Sequence, residues 1–374
     1  MFVFVISYNS LTSLPGLLLL HIADSPAGPG LRHMQADPPD QTALTAAKLL
    51  SSLGVVVIGR NEGERLKRCL HSVEEFTQNV VYVDSGSTDE SIALGRIMTA
   101  AVVELDLDSP FTAARARNAG FKKLLEMRPE LDYVFFVDGD CEVEKGWLNK
   151  ASDFLCQHER VAVAWGFRRE RYPGKSIYNM LTDYEWWDIP TGETKICGGD
   201  ALIRVSAFKQ VQGYRPELIC GEEPEMCVRL RKLGWRIWRL SVPMTLHDAA
   251  MFHFGQWWKR MLRGGYGFAQ GAALHGKTAD RHGVPETIRA WVWGFFIPVI
   301  SLLLTFVFGW WGLILLALYP IQISRLAING KRSARENWWR ATALVVSKFA
   351  EMLGQMKYVS DRVRRVKSRI IEYK

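Results

Sequence analysis

The sequence predicts an α/β fold built on a mostly parallel sheet. Four short apolar runs lie between residues 54 and 137: GVVVIG, VVYV, AVVEL and YVFFV. Segments with apolar residues at helical spacing separate them, and such an alternation of strand and helix is typical of a parallel sheet covered by helices on both faces. Ligands of these sheets bind beyond the carboxyl ends of the strands, so the polar residues after each strand are the first site candidates.

The helices of this half are predicted over 62–76 and 88–98, followed by one that runs through residue 127. Ser109 is a suitable N-cap for the third helix, and Pro110 suits its first turn. The next part of the chain is less regular. It predicts strands at VAVAWGF (161–167) and RIWRL (236–240), with a helix over 222–233 between them.

Composition indicates a folded, membrane-attached protein. The 374 residues are 48% hydrophobic, which excludes disorder for most of the chain. The net charge is +8, and residues 325–374 carry 13 Lys and Arg against four Asp and Glu. A basic tail of this kind favours an anionic membrane face over nucleic acid as the partner. The six cysteines show no C-x-x-C spacing, as in a reduced, cytosolic setting.

A long uncharged stretch predicts a membrane hairpin. No charged residue occurs over the 34 positions from Trp291 to Ser324, whereas one span needs about 20 apolar residues. GWWG at 309–312 offers a bend between two arms, roughly 291–308 and 313–328. Lys and Arg cluster on both flanks, which places both ends in the cytoplasm. A buried pair of helices in a soluble protein is the alternative.

These features divide the chain into five predicted segments. Residues 1–50 are apolar and flexible, with a poor match to a signal peptide, and residues 51–250 form the catalytic domain. Interfacial helices follow over 251–290, then the hairpin over 291–328. A basic amphipathic helix and tail complete the chain over 329–374.

Asp138 and Asp140 follow YVFFV directly, one residue apart. Asp and Gly both favour reverse turns, so a tight turn is one interpretation. The other is a site for Mg²⁺ or Mn²⁺, because such hard cations commonly take one or two carboxylates together with phosphate oxygens. A cation held there would offset charge on a leaving diphosphate. The pair alone leaves both interpretations open.

A series of motifs between about residues 54 and 250 resembles the signature of glycosyltransferase family 2 on a GT-A fold, with a Rossmann-like sheet. In order they are VVVIGRNEGERLKRCLHSV, VVYVDSGSTDES, ARARNAG, FFVDGD, CGGDALIRVSAF, GYRPELICGEEPEMCVRLRKLGWRIWRL and MTLHD. Each motif is weak by itself, and their shared order makes the resemblance specific.

In that family the loops after the first two strands hold the nucleotide base. The resemblance implies that Asn61 and Glu62 line the base pocket, and that Asp84 accepts a hydrogen bond from the ring N–H of the base. An Asx turn in DSGS is the alternative for Asp84, and the two roles are compatible. The family often has a second Asp where Ser85 stands, which leaves the nucleobase open.

The resemblance also supplies candidates for binding the donor. Arg115 and Asn118 are expected to face the phosphates, with a solvated helix face as the alternative for Arg115. The glycines of CGGD, Gly198 and Gly199, would let the backbone approach a bound sugar. Asp200 would then accept a hydrogen bond from a sugar hydroxyl, unless the segment is a simple turn.

GEEPE opens a predicted helix, where the helix dipole alone would stabilise Glu222 and Glu223. In the family this place reads Glu-Asp, and the second acid is the general base for the acceptor hydroxyl. The match is Glu223, one methylene longer, and this departure keeps Glu222 as a second candidate. The resemblance further implies that His247 is a third metal ligand, beside Asp138 and Asp140; a purely structural histidine is the alternative.

The sequence is thus interpreted as an inverting, metal-dependent glycosyltransferase at the cell inner membrane, with its catalytic domain in the cytoplasm. The expected partners are a nucleotide-diphospho-sugar donor, a lipid-linked or glycan acceptor and the membrane, with no nucleic acid. One alternative is a sugar-nucleotide nucleotidyltransferase, although the Gly-rich basic loop usual after its first strand is absent. The other is a non-catalytic membrane scaffold with a decayed site.

Overall fold

The computed structural model describes residues 52–106, 108, 111–366 and 371–372. Its strands are β1 Leu53–Gly59, β2 Val80–Asp84, β3 Ala101–Glu104, β4 Tyr133–Asp138, β5 Cys141–Val143, β6 Val161–Glu170, β7 Gly192–Thr194, β8 Ala201–Arg204 and β9 Arg236–His247. Its α-helices are α1 Glu64–Glu74, α2 Ser91–Met98, α3 Ala113–Met127, α4 Trp147–Gln157, α5 Ile177–Trp187, α6 Val205–Gln210, α7 Glu222–Lys232, α8 Phe254–His275, α9 Val284–Trp291, α10 Ile297–Phe308, α11 Leu318–Ile328 and α12 Ala334–Val363.

The nine described strands form one sheet in the order β3-β2-β1-β4-β8-β6-β9-β5, with β7 also paired to β9. Strands β3, β2, β1 and β4 are parallel, as predicted. Strand β8 is antiparallel to both of its neighbours, while β6 and β9 are parallel to each other. The register pairs Ile58 with Asp138 and Gly59 with Asp84. The carboxyl ends of β1, β2 and β4 therefore share one edge of the sheet.

The N-cap of α3 differs from the prediction. The hydroxyl of Thr112 accepts a hydrogen bond from the Arg115 N–H at 3.1 Å, so the helix begins after Thr112. The expected cap, Ser109, and Pro110 lie outside the described residues. A Thr in extended conformation satisfies one of the N–H groups that a helix start leaves without a partner.

Helix α3 packs closely on the sheet because of Gly120. A Cβ atom at this position would overlap the side chain of Val56 in β1. Arg117, three residues earlier, lies on the same buried face of the helix. The close packing therefore carries a charged side chain to the carboxyl edge of the sheet.

Strands β6 and β9 extend beyond their predicted ends. The apolar segments VAVAWGF and RIWRL predict strands that end at residues 167 and 240. In the structure these strands continue to Glu170 and His247. These additional residues pair with each other, since Glu170 lies opposite His247. The extensions add a second group of polar side chains near the site.

The apolar segment after α9 doubles back on itself. The Ser301 hydroxyl donates to the carbonyl oxygen of Gly312 at 2.9 Å, and the Tyr319 hydroxyl donates to that of Trp293. A 3₁₀ segment, Gly309–Ala317, joins α10 and α11 at this reversal. Aromatic residues at the tip are highly exposed, with Phe306 at 81% and Trp310 at 84%.

Among the described residues, one helical stretch is long and apolar enough to cross a membrane, and it comprises Val284–Ile328. It includes both arms of the reversal. The two-armed course agrees with the predicted bend at residues 309–312, while insertion into a bilayer and the division into five segments stay predictions.

Helices α8 and α12 cross with their backbones in contact. A Cβ at Gly265 would overlap the carbonyl group of Glu351, and a Cβ at Gly354 would overlap that of Leu262. Small residues permit this approach, as they do where membrane helices pack. The crossing attaches the C-terminal helix to the helix that follows β9.

We expect Gly265→Ala to lower the melting temperature of the detergent-solubilised protein. The added methyl group overpacks the crossing, at a cost of about 1–3 kcal/mol. Gly264→Ala is the matched control, because open space surrounds its Cβ position. Equal melting temperatures for the two variants, measured by scanning fluorimetry, would contradict the backbone contact.

Candidate active site

One buried arginine joins the two predicted acidic motifs. Arg117 is 2% exposed, and its Nη2 lies 2.8 Å from Asp138 Oδ1. Its Nη1 lies 2.8 Å from Glu222 Oε1 and 3.1 Å from Glu223 Oε1. The aspartate at the end of β4 and the glutamates at the start of α7 therefore meet at one guanidinium, although they are more than 80 residues apart in sequence.

A second buried arginine lies among the aspartates. Arg168 Nη1 is 3.4 Å from Asp138 Oδ2 and 3.6 Å from Asp200 Oδ2, and its Nη2 is 3.9 Å from Asp140 Oδ1. Burial raises the pKa of Asp138, but Arg117 and Arg168 outweigh this effect and hold that pKa below its usual value. Asp138 is therefore ionised at neutral pH.

His247 lies beside Asp140, and a hydrogen bond with Glu170 orients its ring. Its Nε2 is 3.5 Å from Asp140 Oδ2, and its Nδ1 is 3.1 Å from Glu170 Oε2. Glu170 is itself fixed, because it also accepts the N–H of Ala249 at 3.1 Å. With the Nδ1 proton donated to Glu170, the Nε2 lone pair points toward Asp140. A carboxylate behind a histidine in this way is typical of metal sites.

The donor set suits a hard divalent cation. Asp138 and Asp140 offer carboxylate oxygens and His247 an imidazole nitrogen, which Mg²⁺ or Mn²⁺ accept. Two ligand atoms each about 2.1 Å from one ion lie about 3 Å apart, close to the 3.5 Å between His247 Nε2 and Asp140 Oδ2. Among the described residues, the group of possible ligands whose donor atoms all lie within 4.8 Å of one another is Asp138, Cys141 and Asp200, which shares only Asp138 with this set. The participation of Asp140 and His247 stays a prediction.

The aspartate of the CGGD segment makes hydrogen bonds within the protein. Asp200 is fully buried; its Oδ1 accepts the Asp138 N–H at 3.2 Å and its Oδ2 accepts the Thr245 hydroxyl at 2.7 Å. It supports the loop of Asp138 from behind, so a sugar hydroxyl reaches it only if the site rearranges. Gly198 packs under the Trp186 ring.

Gly199 lies at the centre of the site. A Cβ there would be 2.6 Å from Arg117 Nη2, 3.1 Å from Asp138 Oδ2 and 3.2 Å from Glu223 Oε1. Any larger residue would push these three charged groups apart. The backbone of Gly199 therefore lies close to the charged cluster, while its approach to a bound sugar stays a prediction.

The two glutamates of α7 differ in exposure. The Glu222 side chain is 4% exposed and that of Glu223 is 14% exposed. Burial raises the pKa of Glu223, repulsion by Glu222 raises it further, and Arg117 opposes both, so that the pKa reaches about 7. A carboxylate with this pKa can accept a proton near neutral pH. These observations favour Glu223 over Glu222 as the base.

The side chain of Asp84 has no remaining acceptor position. Its Oδ1 accepts the N–H groups of Gly86 and Ser87, and its Oδ2 accepts the hydroxyls of Tyr82 and Ser87. A carboxylate has about four acceptor positions. The Asx turn is therefore present, and a bond to a nucleobase would have to displace one of these donors.

The other expected nucleotide-binding residues also interact with the protein. Asn61 Oδ1 accepts the Thr88 N–H at 2.7 Å, and the Glu62 carboxylate pairs with Arg65 at 2.8 Å. These two lie at the same sheet edge as Asp84 and Asp138. Their predicted contacts with a nucleotide stay predictions.

Arg115 and Asn118 do not join the charged cluster. Asn118 donates to the Tyr214 carbonyl at 2.7 Å and accepts the Tyr214 N–H at 2.9 Å, so its amide holds the loop before α7 onto α3. Arg115 lies 4.0 Å from Asp106. Arg117, which precedes Asn118 in the motif, takes the central position.

Sequence reasoning missed Arg117, Arg168 and Glu170, although signals for them exist. Arg117 precedes Gly120 by three residues and falls on the apolar face of α3, where an arginine is unusual. Arg168 and Glu170 lie two residues apart at the end of β6, where buried and half-buried residues alternate. A buried charge at such a position requires a partner of opposite charge.

The fold and its charged cluster together define a nucleotide-sugar transferase fold of the GT-A type. A family model described as "Glycosyl transferase family 2" matches residues 54–212. The chain thus carries a glycosyltransferase family 2 domain, in agreement with the sequence interpretation.

Curated relatives support this assignment. The succinoglycan biosynthesis protein ExoA of Rhizobium meliloti is 26% identical over 218 residues, which cover 52% of this chain and 63% of that protein. The pre-mycofactocin glycosyltransferase of Mycobacterium tuberculosis is 25% identical over 205 residues, which cover 52% of this chain and 42% of that protein. The chain therefore spans less than two thirds of the length of either relative.

A solved structure shares the fold over most of the chain. The mannosyltransferase PcManGT from Pyrobaculum calidifontis, in complex with GDP-Man and Mn²⁺, has a TM-score of 0.52 and 16% sequence identity. The match covers 86% of this chain and 95% of that chain. At this identity the likeness shows the fold alone.

We expect Arg117→Met to lower the free energy of unfolding by about 3–5 kcal/mol, because three carboxylates lose their common counter-ion in a buried place. Denaturant unfolding followed by tryptophan fluorescence measures the change. Arg115→Met is the control, since that side chain is 23% exposed on the same helix. If both variants unfolded at the same denaturant concentration, Arg117 would not hold the cluster together.

Proposed function

We propose that the protein is an inverting, metal-dependent glycosyltransferase that moves a sugar from a nucleotide-diphospho-sugar to an acceptor hydroxyl. The observation that supports this most directly is the Arg117 cluster, which puts a carboxylate with a pKa of about 7 next to the Asp138 loop. Asp138, Asp140, Glu222 and Glu223 also line one cavity. A proton acceptor and a diphosphate site thus share a common space.

The donor assignment draws on the comparisons. PcManGT was solved with GDP-Man and Mn²⁺, and the family 2 domain of this chain has the same fold. Asp138, Asp140 and His247 would hold Mg²⁺ or Mn²⁺, which when bound offsets the negative charge of the leaving diphosphate. Glu170 keeps the His247 ring in the orientation that this role requires.

In the proposed reaction Glu223 accepts the proton of the acceptor hydroxyl. The hydroxyl oxygen forms a bond to the anomeric carbon as the bond from that carbon to the diphosphate oxygen breaks. One displacement inverts the anomeric configuration. Glu222 is more buried and fixes Arg117, which in turn sets the pKa of Glu223 through its charge. Glu222 is therefore assigned a positioning role.

The acceptor is proposed to be lipid-linked or a polysaccharide at the inner membrane. The exposed apolar hairpin supports membrane attachment, and basic residues on both of its flanks favour a cytoplasmic catalytic domain. A relative is named for succinoglycan biosynthesis, which supports a polysaccharide product. The hairpin has no role in nucleotidyl transfer.

The proposed activity is tested with purified protein and a panel of nucleotide-sugars, with and without Mn²⁺. We expect slow donor hydrolysis that requires Mn²⁺ and is lost in the double variant Asp138→Asn, Asp140→Asn. No hydrolysis of any donor by wild type, together with no thermal shift from Mn²⁺ and nucleoside diphosphate, would reject the enzyme in favour of a scaffold.

We expect donor turnover to rise about tenfold per pH unit below pH 7 and to level off above it. The reason is that Glu223, with its pKa of about 7, acts only when deprotonated. Glu223→Gln should lose a factor of about 10²–10⁴ in kcat. Glu217→Gln, at an exposed position, is the control. A profile that stays flat between pH 5 and 8 would exclude Glu223 as the base.

We expect Glu170→Gln to weaken Mn²⁺ binding by about 10–100-fold, because His247 loses the carboxylate that orients it. Electron paramagnetic resonance of free Mn²⁺ measures this without turnover. Glu193→Gln, half-exposed in strand β7, is the control. Unchanged binding in Glu170→Gln would mean that the Glu170 carboxylate does not support Mn²⁺ binding through His247.

A further inference from the structure

The cavity at the charged cluster extends well beyond it. Its volume is about 360 Å³, and its lining also includes Gly283, Pro285 and Glu286. These residues begin α9, the helix that leads into the apolar hairpin. The cavity therefore runs from the proposed base to the place where the chain would enter a membrane.

Basic side chains are frequent in the part of the cavity lining that does not belong to the charged cluster, which we call the outer part. Two acidic residues line it, Asp280 and Glu286, against five basic ones: Lys195, Arg231, Arg260, Arg263 and Arg281. Arg231 pairs with Asp280 at 3.0 Å, and Arg260 pairs with Glu185 at 2.6 Å. The outer part keeps a net positive charge when these partners are counted, whereas the inner end is acidic.

Helix α8 supplies one wall. Arg260, Arg263, Gly264 and Gly267 follow the three- and four-residue spacing that places them on one helix face. Open space surrounds the Cβ position of Gly264. The wall thus combines arginine donors with a place where a ligand can approach the backbone.

The loop between α8 and α9, which packs on α8, also lines the cavity. Arg281 has a φ of +44°, a left-handed conformation that is rare for a residue with a side chain. Gly283 fixes the loop, because a Cβ there would be 2.5 Å from the Phe268 carbonyl oxygen. Such backbone strain clusters at ligand sites. It holds the exposed Arg281 side chain at the cavity.

We propose that this outer part binds the acceptor through a phosphate or diphosphate group of an amphiphile, while the acceptor hydroxyl lies at Glu223. The inference rests on the proposed function and names its acceptor class. Arginine favours phosphate because its planar donors match two oxygens at once. The apolar part of the amphiphile remains on the hairpin side, where the cavity ends.

Geranyl diphosphate is a suitable soluble probe. Its binding to the full chain, in nanodiscs of phosphatidylcholine, is measured by calorimetry in the presence of EDTA, so that no metal can link it to the aspartates. We expect it to bind more tightly than geraniol, geranic acid or inorganic pyrophosphate. If geranic acid bound as tightly as geranyl diphosphate, the site would not require a phosphate. If pyrophosphate bound as tightly, the site would not require an amphiphile.

The matched variants are Arg281→Asn and Lys277→Asn. Asn tolerates the left-handed conformation at 281, and Lys277 is an exposed cation of the same loop outside the cavity lining. We expect Arg281→Asn to bind geranyl diphosphate about tenfold more weakly, as for one lost charge-assisted hydrogen bond, and Lys277→Asn to bind as wild type does. Equal affinities in the two variants would overturn the proposal.

Donor hydrolysis without acceptor is measured in parallel on wild type. If it is absent while geranyl diphosphate binding depends on Arg281, the proposed function fails and the anion site stands. If it is present while Arg281 makes no difference, only the acceptor inference fails.

Discussion

The buried guanidinium of Arg117 is the interaction on which the site depends. Three carboxylates from two distant parts of the chain meet at it. Without that cation they would repel one another in a place with little water, and the β4 end and the α7 start would separate. The same cation limits the rise in the Glu223 pKa. One side chain therefore sets both the geometry and the protonation of the cluster.

The fold was largely predictable because local patterns and global topology agree. Alternating apolar strands and helices specified the parallel half of the sheet, and the position of Asp138 after YVFFV placed it at the correct edge. The antiparallel strands β5, β7 and β8 were not predicted, because runs of three or four residues carry too little periodicity.

The acidic residues of the cluster were easier to predict from the sequence than its arginines. Carboxylates after strands and in a first helical turn stand out in the sequence, and the family resemblance singled out Asp138, Asp140 and Glu223 among them. The arginines that contact them lie within regular elements, where the sequence shows that a residue is on a buried face but not which carboxylates it meets. Asp84 and Asp200 show the converse. Their positions suggested ligand contacts, whereas the protein itself occupies their oxygens.

Helix α7, which carries Glu223, contacts α8, and α8 contacts α12. Glu225, on the same helix, accepts hydrogen bonds from Arg229 and from His275 at the end of α8. Helix α8 in turn contacts α12 backbone to backbone through glycine. Direct contacts therefore connect the helix of Glu223, one wall of the cavity and the C-terminal helix.

The reversal of the apolar segment bears on how the chain would enter a bilayer. Its tip carries phenylalanine and tryptophan, and no charged group lies between Trp291 and Ser324. No polar loop would have to be translocated, and nothing would have to fold on the far side. Such a hairpin could insert directly from the compartment of synthesis, after the catalytic domain had already folded there.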